Sequence, residues 1–432
     1  MDILNQLKTQ AEQVEVLRLQ NEQTSVKFEA NKLKTSTVAE TRGTAVRVIR
    51  QGKLGFAASS DDTALDKLAA NVLESACYGD EVPLRFPGPG PVAPVRIFDR
   101  AVADLPISRL VKIGEEILDL ILPVEPEARC NISLTRSVQS VRIRNQTGLD
   151  ISYQRSPFSI GFEIDRIVGD DVLILYNMFG TTVWDDDYLA FARSLVEKLK
   201  LARKIVPIKG GNMPVLFSPV GTLALAIPLN EGLNGKNVYK GTSPLIGKLG
   251  EKLFDQKIGI TDDGTIDGKF VSAPCDDEGV PHRHNVLVED GQLKSFLYDL
   301  KTAALFGVET TGNASRGLFN PPEPSPTNFM LQPGETPLKE IIARIDQGIL
   351  VEDLLGIGQG NVISGAFSNP LSLAFKIERG EIVGRVKDVS IAGNVYELLR
   401  NVAAVSQEAQ WVYSTFFAPY LLLPEMNVVA KG

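Results

Sequence analysis

The two histidines of the chain, His282 and His284, stand two residues apart in the run VPHRHNVLVEDG (280–291). That run reads as the start of a β-strand, where residues two apart share a face. An HxH pair on one face, completed by a carboxylate, can bind zinc, and zinc would activate a water for hydrolysis. Further potential ligands, Cys275, Asp276, Asp277 and Glu278, lie just upstream. The competing reading is an ordinary strand, since the flanking Arg283 and Asn285 suit an exposed or edge position.

Other runs offer weaker chemistry. CDDEG (275–279) could gather oxygens around calcium or magnesium, but such a run more often forms a polar turn closing a hairpin. DDGTIDG (262–268) opens like an EF-hand loop, yet position twelve from Asp262 is Ala273 where a bidentate glutamate is required. Cys275 beside three carboxylates would have its thiolate disfavoured, which argues against a nucleophile. GGN (210–212) and GIGQG (356–360) match no dinucleotide or phosphate-loop pattern and read as turns.

The elements that must position these residues belong to a soluble chain too long for one core. At 432 residues two or three domains are expected, and 44% hydrophobic with 23% charged residues is ordinary for a globular protein. The net charge of −8, with no run of four Lys or Arg, argues against a nucleic-acid partner. Cys77, Cys130 and Cys275 form neither a disulfide framework nor a CxxC knuckle, which suits a reducing compartment. The opening MDILNQLKTQAEQ lacks a signal-peptide pattern, and the apolar FFAPYLLLPEMNVV is cut by Pro419 and Pro424. A cytoplasmic protein without a membrane partner is expected.

Residues 3–13 can form a short helix, followed by strand-like runs at 14–20, 24–40 and 44–60. The last two alternate as a half-exposed antiparallel sheet would, with hairpin turns at Asn31-Lys32 and Gln51-Gly52. A helix at 61–77 has Asp61 and Asp62 as N-cap candidates, and PLRFPGPGPVAPV (83–95) reads as a linker or extended crossover. A helix at 107–122, strands over 130–167 turning at 146–148 and a helix at 186–203 complete an α+β first domain, residues 1–205. Residues 206–432 are rich in short strands, with one clear helix at 337–348. A β-rich sandwich or barrel is expected there.

Long runs of the second half fit one family together. CDDEGVPHRHNVLVEDGQLKSFLYDLKTAALFGVETTGNASRG (275–317), FMLQPGETPLKEIIARIDQGILVEDLLG (329–356) and GAFSNPLSLAFKIERGEIVGRVKDVSIAGNVYELL (365–399) resemble the TldD/PmbA family. GTAVRVIRQGKLGFAASSDD (43–62) matches its first domain, so the resemblance covers essentially the whole chain. The family, historically labelled modulators of DNA gyrase, implies a cytoplasmic metalloprotease built from a TldD-type and a TldE-type (PmbA) chain. It acts on unfolded or extended peptides. In the TldD-type chain an HExxxH motif binds zinc, completed by a cysteine near the C-terminus.

Aligning through Gly241, Thr242 and Ser243 puts that motif on AIPLNE (226–231). Ala226 then stands for the first histidine, Ile227 for the glutamate base and Glu231 for the second histidine, while Pro228 disfavours a regular helix. No cysteine follows Trp411. The resemblance therefore implies a TldE/PmbA-type chain with no catalytic residues, metal or cofactor of its own, a TldD-type partner, and a homodimer when alone. The runner-up is a stand-alone peptidase using His282 and His284. A third possibility is a protein-binding regulator of the gyrase-modulator type.

Overall fold

The alternating runs of the first half close into a single antiparallel sheet. β1 (Gln13–Glu29) and β2 (Lys32–Arg50) form a long hairpin that turns through Ala30 and Asn31, both at positive φ. β3 (Lys53–Ser59) follows the Gln51-Gly52 turn. After the extended crossover come β4 (Ala128–Asn145), β5 (Asp150–Arg155), β6 (Phe158–Val168) and β7 (Asp171–Thr181). The order is β3-β2-β1-β4-β6-β7, with β5 paired to β4. The structure is a computed structural model describing residues 2–185 and 187–430; Asp186, the expected start of a helix, lies outside the described residues.

Five helices cover one face: α1 (Ile3–Leu7), α2 (Leu65–Cys77), α3 (Arg100–Ala103), α4 (Ile107–Ile121) and α5 (Asp187–Ala202). Val14, Val16, Val46 and Val48 pack on Leu68 and Val72 of α2. Val26, Phe28, Ile132, Leu134 and Phe158 pack on α4 and α5.

Several expectations give way here. β1 runs unbroken through Asn21, Glu22 and Gln23, and β2 through Thr41, Arg42 and Gly43. Both polar stretches lie in continuous ladders, so they need no turn. The run expected to be half-exposed is buried on both faces from Ala45 to Ile49, because residues 82–86 of the crossover and the second half of the chain together cover the face the helices leave open. α1 ends at Leu7, short of residue 13. α2 begins at Leu65 with Ala64 at its N-cap; Asp61 instead closes a local turn, accepting from the Thr63 N–H (2.8 Å) and hydroxyl (2.6 Å).

The second half opens with β8 (Gly211–Phe217), α6 (Leu223–Leu233), α7 (Gly235–Tyr239), β9 (Ile260–Asp263), β10 (His284–Glu289) and β11 (Gln292–Leu293). Then come α8 (Leu300–Phe306), β12 (Ala314–Ser315), β13 (Glu323–Pro324), β14 (Phe329–Leu331) and α9 (Leu338–Ala343). β15 (Gln347–Leu354), β16 (Ala366–Glu378), β17 (Glu381–Arg385), β18 (Val389–Asn394), α10 (Val395–Leu398), β19 (Ala404–Val412) and β20 (Phe416–Ala430) follow.

β8, β15, β16, β18 and β20 pair in that order and β20 returns to β8, so five strands close a barrel within an eleven-stranded sheet. Leu195 and Leu199 of α5 share one core with Leu350, Leu373 and Phe375, which places α5 between the two sheets. α9 ends at Ala343, well before residue 348, because Gln347 already pairs with Glu378 in the barrel.

α6 runs on through Pro228, against the expectation of a break. It is apolar over most of its circumference and largely buried, with only Ile227, Asn230 and Glu231 half-exposed, and packing outweighs the missing N–H. The Tyr396 hydroxyl lies 2.9 Å from the Pro228 carbonyl oxygen and 3.1 Å from that of Ile363, fixing the helix against the turn at 362–364. Among the described residues no helix is long and apolar enough to cross a membrane.

Candidate functional site

Where the barrel, its extension and the first sheet meet lies a cavity of about 470 Å³. α6 turns Ala226, Ile227 and Asn230 into it, three positions that one helical face brings together. Tyr153 and Arg155, two apart on β5, form a wall from the first sheet. The remaining lining includes Cys275, Asp276, Asp277, His282 and Thr327.

Glu231 stays out of this lining. Its carboxylate accepts from the Asn237 side-chain amide at 2.8 Å, which ties α6 to α7. Of the three positions aligned with HExxxH, the structure therefore brings Ala226 and Ile227 to the cavity and directs the third elsewhere.

His282 is buried in the wall, its Nδ1 2.7 Å from the Gly312 carbonyl oxygen. A carbonyl only accepts, so Nδ1 carries the proton and Nε2 is left as an acceptor. Burial pushes the imidazole down to about 4, so it is neutral at physiological pH. Gly264 permits its position: a Cβ there would stand 2.5 Å from the ring. His284 is exposed on β10, its Nδ1 3.4 Å from Asp263. The expected shared face fails because His282 precedes β10, next to the Cys275–Pro281 bridge, and only His284 has entered the strand.

CDDEG forms a turn, but one folded inward. Asp276 is buried and accepts from the backbone N–H groups of Glu278 (2.9 Å), Val280 (2.9 Å) and Ala314 (3.0 Å). Asp277 accepts from the N–H of Arg316 at 2.8 Å. Burial raises both carboxyls; Glu278 beside Asp276 adds to its rise, whereas Arg316 and Arg155 oppose that of Asp277. Burial, then Asp276 and Asp277, push the Cys275 thiol far above its ordinary value, so the thiolate is disfavoured. In DDGTIDG, Asp262 accepts from Asn313 (2.6 Å) and Thr327 (2.8 Å), and Asp263 closes a turn onto Thr265. Gly356, Gly358 and Gly360 all take left-handed φ, as turns require.

Two lining residues carry polar groups that sequence inspection passes over. The Asn230 Oδ1 atom is enclosed with no hydrogen-bond partner. Arg155 donates to the Phe270 carbonyl oxygen, but its Nε is enclosed and unpaired. Nothing in QR or LNE marks either residue, because the cavity joins segments more than seventy positions apart.

Residues 210–430, more than half the chain, match the model of the PmbA/TldA metallopeptidase C-terminal domain, and residues 14–76 match that of the family's domain 1. The chain belongs to the PmbA/TldD family. The fold is similar to that of TldE from Thermococcus kodakarensis, with a TM-score of 0.90 at 25% identity, covering 100% of this chain and 99% of that one. An uncharacterised protein of Methanocaldococcus jannaschii is 27% identical over 92% of both chains. A metalloprotease TldD homolog of Haemophilus influenzae is 34% identical over 223 residues, which span 51% of this chain and 46% of that protein.

The zinc that the PmbA/TldD metallopeptidase name evokes does not fit the residues at this cavity. Ala226 and Ile227 offer no donor atom, and His282 is one imidazole whose neighbouring carboxylates are engaged by backbone N–H groups. Among the described residues no group of three or more His, Cys, Asp or Glu is arranged to hold a metal ion. What the cavity offers is binding: a cation, two open acceptors and an apolar wall.

Proposed function

We propose that this chain is the non-catalytic, TldE/PmbA-type subunit of a cytoplasmic two-chain metalloprotease, holding unfolded or extended peptides for a zinc-bearing TldD-type partner. The observation that carries the reading is the chemistry of α6. It supplies alanine and isoleucine to a cavity at the two positions aligned with a zinc-binding histidine and a general base. The likeness to a chain named TldE supports it.

A peptide-holding role also has a backbone to use. β2 pairs with β3 only from Thr44 onward, which leaves residues 32–43 with one edge unpaired. An extended peptide adds to such an edge through main-chain hydrogen bonds, whatever its sequence. Alone, the chain forms a homodimer in this reading.

Co-expression with a family member carrying HExxxH tests the proposal. A stable complex that cleaves unfolded peptides, with neither chain active alone, is the expected result. Failure to co-purify at micromolar concentration removes the reading. A stand-alone peptidase would need His282 and His284 to work together, and one is buried in the cavity wall while the other is exposed on β10.

A further inference from the structure

The arginines of this protein divide sharply. The four that are buried outright, Arg47, Arg166, Arg316 and Arg385, each form an ion pair with Glu15, Glu125, Glu278 or Asp171. Arg155 does not. It sits in the cavity wall with one carbonyl partner and, among the described residues, no carboxylate within salt-bridge distance. Its Nε is enclosed without an acceptor, as are those of Arg166, Arg316 and Arg385, but those three have a carboxylate on the guanidinium and Arg155 has none. Burial lowers its affinity for the proton, with Tyr153 and Asp277 opposing, yet a guanidinium keeps its charge under all ordinary conditions. A half-buried cation with an enclosed, unpaired Nε gains from an anion or strong acceptor that completes it.

The same cavity holds two acceptors with nothing to accept. Asn230 Oδ1 has no donor, and the Nδ1–H bond of His282 to Gly312 makes Nε2 an acceptor in the cavity wall. One cation and two acceptors line about 470 Å³ walled by Leu223, Ile227 and Phe329, beside Asp276 and Asp277, whose carboxyls are turned to backbone N–H groups and raised by burial. The matching ligand carries a carboxylate, a neighbouring N–H and a modest apolar side chain.

We propose that this cavity binds a peptidic carboxylate. Arg155 pairs with the carboxylate, the adjoining amide N–H donates to Asn230 Oδ1 or His282 Nε2, and the side chain lies against Ile227. The same chemistry comes from a peptide's C-terminal residue or from an internal Asp or Glu. The site thus deepens the peptide-holding reading above, but binding to it requires no partner chain.

Titration calorimetry on the full chain alone decides the matter with three N-acetylated pentapeptides. These are penta-alanine with a free C-terminus, its C-terminal amide, and the amide with a central glutamate. Binding of the free acid at least about tenfold tighter than of the plain amide is expected, since a charge-assisted bond is lost. Comparable binding of the glutamate amide identifies side-chain carboxylates as ligands too; weak binding restricts the site to C-termini.

Arg155→Gln should erase the preference and Arg155→Lys retain part of it, while Ile227→Trp should block all three peptides. Equal binding of free acid and plain amide, or none by any peptide, overturns the proposal even if a variant misfolds, because the comparison is made on the unaltered chain. Co-purification with a TldD-type chain bears only on the subunit reading, so the two fail separately.

Discussion

Glu15 and Arg47 face each other across the β1–β2 ladder, and neither reaches solvent. Arg47 donates from Nε to one Glu15 oxygen at 3.0 Å and from Nη2 to the other at 2.5 Å. The second half completes the pair: Glu278 accepts from Arg47 Nη1 (2.5 Å), and Arg316 Nη2 donates to Glu15 (2.6 Å). The first sheet and two loop segments of the second half are thus joined by four buried ionisable groups, each useless without the others.

Removing one charge should be worse than removing several. Arg47→Ala leaves Glu15 and Glu278 buried with less compensation, and a loss of about 3–5 kcal/mol in urea unfolding is expected. Replacing Glu15, Arg47, Glu278 and Arg316 together by apolar residues of similar volume should recover much of that loss, since no charge is then left buried without its partner. If the single variant loses under about 1 kcal/mol, the cluster does not hold the halves together.

Gly232 and Tyr396 form a second coupled pair. A Cβ on residue 232 would stand 2.3 Å from the Tyr396 hydroxyl. Gly232→Ala should therefore destabilise by about 1–3 kcal/mol, despite the better helix propensity of alanine. In a Tyr396→Phe background the 2.3 Å contact is gone and the tightest one left is 3.2 Å, to the ring Cζ, so the same change should cost much less. An equal penalty in both backgrounds would mean that α6 is constrained by something else.

The neutral burial of His282 makes stability depend on pH in a defined direction. Its imidazole is lowered from 6.5 to about 4, so the unfolded chain binds a proton there that the folded chain refuses. The contribution is fully present above pH 6.5 and is lost as pH falls towards 4. It amounts to something on the order of 3 kcal/mol at 1.36 kcal/mol per unit. Asn can still donate to Gly312, so His282→Asn should unfold with a flatter pH profile between 6.5 and 4. Parallel profiles for the two proteins would refute this.

Thiol chemistry should separate the cysteines. Cys77 is exposed, whereas Cys130 and Cys275 are buried, Cys130 being pushed up to about 12 by burial and by Asp165. Iodoacetamide at pH 8 should add one label to the native protein, at Cys77. Rapid labelling of Cys275 would show that the cavity turn opens.

Much of the fold is written locally. The Gln51-Gly52 hairpin, the alternation in β4 and β6, and the amphipathic α4 each depend on neighbours in the chain, so residue types and period reveal them. What is not legible is set by distant contacts. Val46 and Arg47 look like two sides of a half-exposed strand until residues 82–86 and 275–316 cover one side. Pro228 looks like a break until packing around α6 overrides it. Arg155 and Asn230 have no spacing relation to each other or to His282, and only the assembled fold brings them to one cavity.

The barrel seam has a consequence for synthesis. β8 is among the first strands of the second half to leave the ribosome, yet it closes against β20, whose residues emerge some two hundred positions later. Until then the seam is open, and the nascent chain must carry β8 and the apolar α6 without their final cover. Closing so long a loop is slow in entropic terms. The first sheet, whose ladders are complete by Thr181, can form well before, holding Glu15 and Arg47 ready for partners that have not yet been made.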